Sequence, residues 1–256
     1  MNIPGIMKYF LPILFATIIL LSTVYSCKKE KEQAAMDMGY AYFPDKQGDY
    51  IVYDVDSFFY NDFTDHIDTF KFQLKEKIES FFSDNENRPT MRLEQYIRLY
   101  DPKKPYSSIP WKLRNVWTAN RTANTAEKIE ENVRFVKLIF PVTAKASWNG
   151  NAKNNLGHLN YSYYSVDLPA TINNTRFDSV LQVTQQDDLT LISKKYYIEK
   201  YARNYGMIFK HVIDVESQPD PTWPDSVLFK WRNTPIMDRV DFGIQYIVKF
   251  NSYGHE

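Results

Sequence analysis

Apolar and polar residues alternate with a period of two through most of this chain, a pattern that strands satisfy and helices do not. Residues 90–100, TMRLEQYIRLY, show it most cleanly. Met91, Leu93, Ile97 and Leu99 fall on one side, and Arg92, Glu94 and Arg98 on the other. One buried and one wet face is the usual antiparallel arrangement. Residues 50–60, YIVYDVDSFFY, read the same way after a turn at Gln47-Gly48-Asp49. In residues 66–82 Phe70, Leu74, Ile78 and Phe82 also fit a helix face, but the flanking strands decide for strand. Further strands are expected at 111–122, 127–138, 159–166, 177–184, 189–193, 206–216 and 242–250. The chain has 19 Tyr and 17 Phe against 8 Gly, which suits strands better than loops. Residues 194–203 hold good helix formers ahead of Asn204 and Gly206, which predicts one short helix. The prolines of residues 218–225, QPDPTWPD, mark a loop. The expected fold is mainly β: an antiparallel sandwich or an open half-barrel, with one short helix near 194–203.

The start of the chain is of another kind. Lys8 precedes an apolar block of about 13 residues that contains Pro12. A bilayer-spanning helix needs roughly 20 residues, so the block reads as a secretory signal. The competing reading is an uncleaved anchor over residues 9–25. Val24-Tyr25-Ser26-Cys27 resembles the lipobox of bacterial lipoproteins, with Tyr25 bulkier than usual in the middle. The resemblance implies cleavage after Ser26 and acylation of Cys27, and two or three acyl chains make a stable membrane anchor. Residues 1–26 are then the signal peptide. Residues 27–39 are the lipidated cysteine and a charged tether, and residues 40–256 one β-rich extracytoplasmic domain. Charged stretches after the cysteine direct some lipoproteins of Bacteroidetes-type bacteria to the cell surface. Those are mostly acidic, whereas KKEKEQAAMD mixes signs.

Cys27 is the single cysteine, so no disulfide staples the domain and its core must hold it. The 31 basic and 31 acidic residues balance, which argues against nucleic acid as a partner. A mean hydropathy of −0.47 does not fit a polytopic membrane protein.

No catalytic residue, metal ligand or cofactor site is assigned from the sequence. A G-x-S-x-G elbow, an H-E-x-x-H helix and a phosphate-cradling glycine loop are all missing. His66, His158, His211 and His255 lie far apart, and His211, within an apolar strand, reads as a hydrogen-bonded structural residue. Asp54 and Asp56 share one side of a strand. Glu130-Glu131 and Asp187-Asp188 are adjacent pairs that would point to opposite faces. Any of these carboxylates could serve a hydrolase, though such pairs are common on wet surfaces. Asp84 and Glu86 lack the spacing of a calcium loop. Trp148 and Trp223 sit in loops beside polar residues, where rings can stack on sugars or anchor a protein. The candidate binding residues are Trp148, Asn149, Asn151 and Trp223.

Four stretches together resemble an uncharacterised group of β-rich lipoproteins of Bacteroidetes-type bacteria. They are Tyr42-Phe43-Pro44 with GDYIVYDVDS at 48–57, VRFVKLIFP at 133–141, WNGN at 148–151, and YARNYGMI at 201–208. The resemblance implies a β-rich extracytoplasmic fold and carries no activity. Asp178-Ser179-Val180 and Asp225-Ser226-Val227 resemble an O-glycosylation acceptor of exported proteins of the same bacteria. The expected role is a non-catalytic envelope lipoprotein, tethered through Cys27, most simply in the outer membrane. It would bind a protein or glycan through the loops 147–157 and 218–225. The alternatives are a carrier of an acyl chain or other apolar ligand in a β cavity, and a carboxylate hydrolase.

Overall fold

A computed structural model describes residues 36–64 and 66–256. The expected signal peptide, Cys27 and the first part of the expected tether lie outside the described residues. Asp37–Glu256 forms one compact unit. It is mainly β. Its strands are β1 (Asp49–Asn61), β2 (His66–Ser83), β3 (Pro89–Leu99), β4 (Lys112–Arg121), β5 (Thr125–Glu130), β6 (Val133–Ile139), β7 (Ser147–Asn149), β8 (Asn160–Ile172), β9 (Thr175–Leu189), β10 (Ser193–Ala202), β11 (Gly206–Glu216) and β12 (Phe242–His255). A short helix, α1 (Asp225–Asn233), lies between β11 and β12.

The 12 strands form one antiparallel sheet in the order β6-β5-β4-β3-β2-β1-β12-β11-β10-β9-β8-β7. Nearly every neighbour in space is a neighbour in sequence. The exception is β1 against β12, which joins the two ends of the chain. The sheet curls until its outer strands meet, giving a nearly closed barrel rather than a sandwich. The meeting is specific. Val136 of β6 donates its N–H to the carbonyl of Gly150, just after β7 (2.9 Å), and the Trp148 indole donates to the Val136 carbonyl (2.8 Å). The Tyr163 hydroxyl of β8 donates to the Ile139 carbonyl (2.7 Å) and accepts from the Ile139 N–H (2.9 Å). Closure removes the unpaired edges that a sheet otherwise exposes. Residue 150 must be glycine, because a Cβ there would lie 2.4 Å from the ring of Tyr161.

Several features differ from the sequence reading, among them the expected strand at 189–193, which is the turn between β9 and β10. The helix predicted at 194–203 is strand β10, because those residues are paired on both sides, with β9 and with β11. Pairing along two edges outweighs helix propensity. The helix lies instead at Asp225–Asn233, behind Pro224, with an acid in its first turn and Lys230 and Arg232 in its last, which complements its dipole. The expected single strand over 127–138 is a hairpin. Glu131 and Asn132, with φ of 49° and 64°, make a two-residue turn of the kind that matches strand twist. Asn173 and Asn174 (φ 46° and 67°) make another between β8 and β9, so those two strands run well beyond the expected 159–166 and 177–184.

The buried residues form three clusters. One gathers Ile51, Tyr53, Val55, Phe72, Leu74, Val248 and Phe250 around β1, β2 and β12. A second lies at the closure, with Tyr42, Leu138, Phe140, Tyr161, Tyr163, Leu181 and Val183. A small third one holds Met91, Leu93 and Ala119. Replacing Tyr163 by Phe would keep the ring and orphan both backbone groups of Ile139. The expected loss is roughly 1–3 kcal/mol of unfolding free energy, read as a lower urea midpoint at unchanged m value. A midpoint equal to wild type would mean that the hydroxyl does not hold the seam.

Candidate functional site

The inside of the barrel is crossed by charge. Glu76 of β2, Lys128 and Glu130 of β5, Lys137 of β6, Glu199 of β10 and Lys210 of β11 form an alternating ladder. Lys128 donates to both carboxylate oxygens of Glu76 at 2.8 Å and stands 3.5 Å from Glu130. Lys137 lies 3.8 Å from Glu130 and donates to Glu199 at 2.6 Å. Lys210 is 3.5 Å from Glu199, which also accepts the Tyr201 hydroxyl at 2.6 Å. Strands β2 and β5 are not neighbours, nor are β6 and β10. Such pairs can form only across the space that the sheet encloses. Three lysines and three glutamates leave the ladder formally neutral.

Local geometry sets these side chains on one face. The two-residue turn at Glu131-Asn132 pairs Glu130 with Val133 and Lys128 with Phe135. Lys137, two residues beyond Phe135, therefore joins Lys128 and Glu130 on the inner face. In a continuous strand, Lys137 would have pointed the other way. On β10 and β11, Glu199 stands opposite Lys210.

Burial disfavours the charged forms of Lys128, Glu130, Lys137 and Glu199, and their partners more than offset it. Burial pushes the carboxyls of Glu130 and Glu199 up, and the lysines beside them draw both below the usual range. Burial pulls Lys128 and Lys137 down, and the facing glutamates leave both above the usual lysine range. These four groups are thus ionised at neutral pH. Tyr161, mainly through burial, is pushed up to about 12 and stays a neutral hydroxyl. A carboxylate poised as a general acid needs a raised pKa. Glu130 and Glu199 have the opposite setting.

Two chambers flank the ladder. One, of about 90 Å³, is bounded by the ladder on one side and elsewhere by Phe43, Ile78, Met91, Leu93 and Met207 together with Asp49, Tyr50, Tyr53 and Tyr201. The other, of about 140 Å³, adds Gln95, Arg114, Trp117 and Tyr246. Pockets for drug-sized ligands span roughly 300–1,000 Å³. Neither chamber takes a folded acyl chain in this structure. A third, more open cleft of about 410 Å³ lies between the tip of the β1–β2 hairpin and the segment around α1. Tyr60, His66, Ile67, Trp223, Trp231 and Arg239 line it. Trp231 is buried, donates to Ser217 at 3.1 Å, and carries the Arg239 guanidinium 3.9 Å over its ring.

The candidates from the sequence are dispersed. Trp223 is half-buried at the third cleft. Trp148 packs against Tyr161 and Tyr163 with its indole spent on Val136. The Asn149 side chain accepts from the backbone of Asn151 and Leu159, and Asn151 is buried and donates to the Gly157 carbonyl at 2.7 Å. Asp54 accepts from Gln73, Asn173 and Asn251, and Asp56 pairs with Lys249 at 3.1 Å. Of the Glu130-Glu131 pair, only Glu130 joins the ladder. Asp187 and Asp188 are exposed at the end of β9. Asp84 is held near pKa 2 by backbone and side-chain hydrogen bonds from Arg88 and the backbone of Glu86. His211 meets Gln245 at 3.0 Å and packs edge-on against Tyr196; His255 pairs with Asp49 at 2.8 Å. His66 lies 3.9 Å from Asp68, and His158 is exposed. Among the described residues no three His, Cys, Asp or Glu side chains converge as a metal site would need. Ser179 bonds to Asp167, Tyr42 and Arg203, whereas Ser226 is exposed on α1.

The ladder was missed by the sequence reading, which took strand charges as solvent-facing. One signal was available: Glu76 shares parity with Phe72, Leu74 and Ile78, and Lys210 with Ile208 and Val212. A charge on the apolar parity of a strand marks an inward ion.

No known protein family matches the chain, and no curated protein does. It is similar to two solved structures. One is a candidate exported protein with a YmcC-like fold from Bacteroides fragilis, 9% identical, covering 83% of this chain and 98% of that one, with a TM-score of 0.39. The other is a candidate lipoprotein from Parabacteroides distasonis, 8% identical, with the same coverage of both chains and a TM-score of 0.39. Neither likeness is close enough to transfer a role.

The ladder should behave as a unit. Lys137→Met leaves two buried glutamates short of a partner and should cost roughly 3–5 kcal/mol, whereas the double variant with Glu199→Met should cost less. Depressed carboxyl pKa values stabilise above the ordinary 4.5, and that gain is lost as pH falls through the folded value. Raised lysine values stabilise below the ordinary 10.5, and that gain is lost as pH rises beyond it. Urea midpoints should therefore fall below about pH 4.5 and above about pH 10.5 in the wild type, and fall less in the double variant. Equal pH profiles would show that the ladder is not ionised.

Proposed function

We propose that this protein is a cell-envelope lipoprotein, anchored through Cys27, that binds a glycan or protein of the envelope rather than transforming a substrate. The anchor is supported by the short apolar signal ending in Val24-Tyr25-Ser26-Cys27. The placement outlined by the sequence, the outer membrane on either face, is part of this reading. Binding is supported by one observation above all: the cleft at Trp223. Its volume of about 410 Å³ lies within the range of small-ligand pockets. Its lining mixes the rings of Tyr60, Trp223 and Trp231 with the polar groups of Asn61, His66, Asp238 and Arg239. Rings that face a sugar's apolar side, ringed by groups that take its hydroxyls, suit a saccharide. Trp148, Asn149 and Asn151 contribute through the second loop, 147–157, whose shape they set. A non-catalytic role accords with the pairing of Asp54, Asp56, Glu130 and Glu199. The carrier reading is the weaker one, because the chambers inside the barrel are small.

Two outcomes test the reading. Cys27→Ser should move the protein from the membrane fraction to the soluble envelope fraction and abolish labelling by a fatty-acid probe. Membrane retention of that variant would point to the uncleaved anchor. Titration of the full chain with cell-wall muropeptides and with outer-leaflet oligosaccharide should show saturable binding to one of them. Trp223→Ala should weaken it by roughly tenfold, about 1.4 kcal/mol. Binding that survives Trp223→Ala unchanged would take the cleft out of this reading. Site-specific cross-linking from position 223 to an envelope protein, with no glycan bound, would replace the glycan by a protein partner.

A further inference from the structure

The chamber between the ladder and the barrel mouth carries a second site, independent of the Trp223 cleft. We propose that it binds the head of a small, neutral, unbranched molecule ending in a hydroxyl or a similar group that both donates and accepts.

Three observations lead there. The first is unused hydrogen-bonding capacity. An ammonium has three donors. Lys137, whose side chain is 5% exposed, makes one hydrogen bond, to Glu199 at 2.6 Å. Its next acidic neighbour, Glu130, stands 3.8 Å away, beyond hydrogen-bond distance. Glu130 in turn has one long contact, with Lys128 at 3.5 Å, which leaves most of its four lone-pair sites open. A buried ammonium with donors to spare thus lies beside a nearly buried carboxylate with lone pairs to spare, and both border the chamber. A hydroxyl placed there could accept from Lys137 and donate to Glu130.

The second observation is charge balance. The ladder pairs each lysine with a glutamate, so a charged ligand finds no unmatched opposite charge to repay its desolvation. A neutral one pays little. The third is shape. Phe43, Ile78, Met91, Leu93 and Met207 form an apolar wall above the ladder, with Asp49, Tyr50, Tyr53 and Tyr201 also in the lining. At about 90 Å³ the chamber is smaller than the roughly 150 Å³ cavity that holds a benzene ring. A narrow stem fits where a ring does not. Tyr205 and Tyr253 border the chamber and are 37% and 38% exposed, so they stand at its mouth and can cover the remainder of a longer molecule.

The test uses the full-length chain in a lipid nanodisc with methyl-labelled Ile, Leu and Met. Butan-1-ol should shift the methyl signals of Ile78, Met91, Leu93 and Met207 saturably, and leave that of Ile236, buried beside α1, in place. Butylammonium, butyrate and cyclohexanol should bind at least about tenfold more weakly. Met91→Phe, which narrows the chamber without touching an ion, should abolish the shifts at Ile78 and Leu93. Trp223→Ala should leave them unchanged, which separates this site from the cleft. Non-saturable shifts, equal affinity for the charged analogues, or binding undiminished in Met91→Phe would each overturn the proposal.

Discussion

Six charges inside the barrel, three of them buried, set the terms for this fold. A barrel of 12 strands could enclose a wide space, yet the chambers inside this one measure only about 90 and 140 Å³. The ladder from Glu76 to Lys210 accounts for the difference. Its members come from β2, β5, β6, β10 and β11, and the Glu76–Lys128 and Lys137–Glu199 pairs form only if opposite walls come close. Breaking one pair leaves a buried charge uncompensated, whereas an apolar filling of equal volume would be as stable or more so. The ladder is therefore poor evidence of extra stability. What it specifies is register, since slipping one strand by a residue would turn its ion to the outside.

Closure of the sheet and formation of the ladder depend on the same two strands. β5 and β6 carry Lys128, Glu130 and Lys137 inward, while β6 offers Val136 and Ile139 to the other end of the sheet. The loop after β7 supplies Gly150, the one residue that fits against the Tyr161 ring. The WNGN stretch is thus a seam, and the polar side chains that look like a binding loop are committed to shaping it. The barrel has no disulfide, and it compensates by leaving little of its edge unpaired.

The two proposed sites draw on different parts of this design. The Trp223 cleft is built from the tip of the β1–β2 hairpin and the loops flanking a short helix. The inner chamber is built from the rigid sheet and the ladder. A loop-built cleft adapts to a partner; a chamber fixed by ion pairs selects by charge and width.

Much of the β architecture was legible, because alternation survives wherever one face of a strand is dry. β1, β2, β3, β11 and the start of β12 follow from residues such as Met91 and Leu93 set against Arg92 and Glu94. The turns were less legible: Glu131-Asn132 and Asn173-Asn174 lack the glycine that usually flags a two-residue turn. The helix at 194–203 failed because propensity cannot see the two strands that pair with those residues. The ladder stayed hidden for a related reason. A lysine or glutamate in a strand has the same letter whether it faces water or another strand's ion. By itself, then, the sequence determined the lipobox-like start, the absence of a disulfide and the antiparallel β class, all of which rest on local composition and spacing. The tertiary structure alone decided that the sheet closes, that Lys137 turns inward, and that Trp148 seals a seam while Trp223 borders a cleft. Each of those depends on contacts between residues far apart in the chain, and burial is a property of such contacts rather than of any residue.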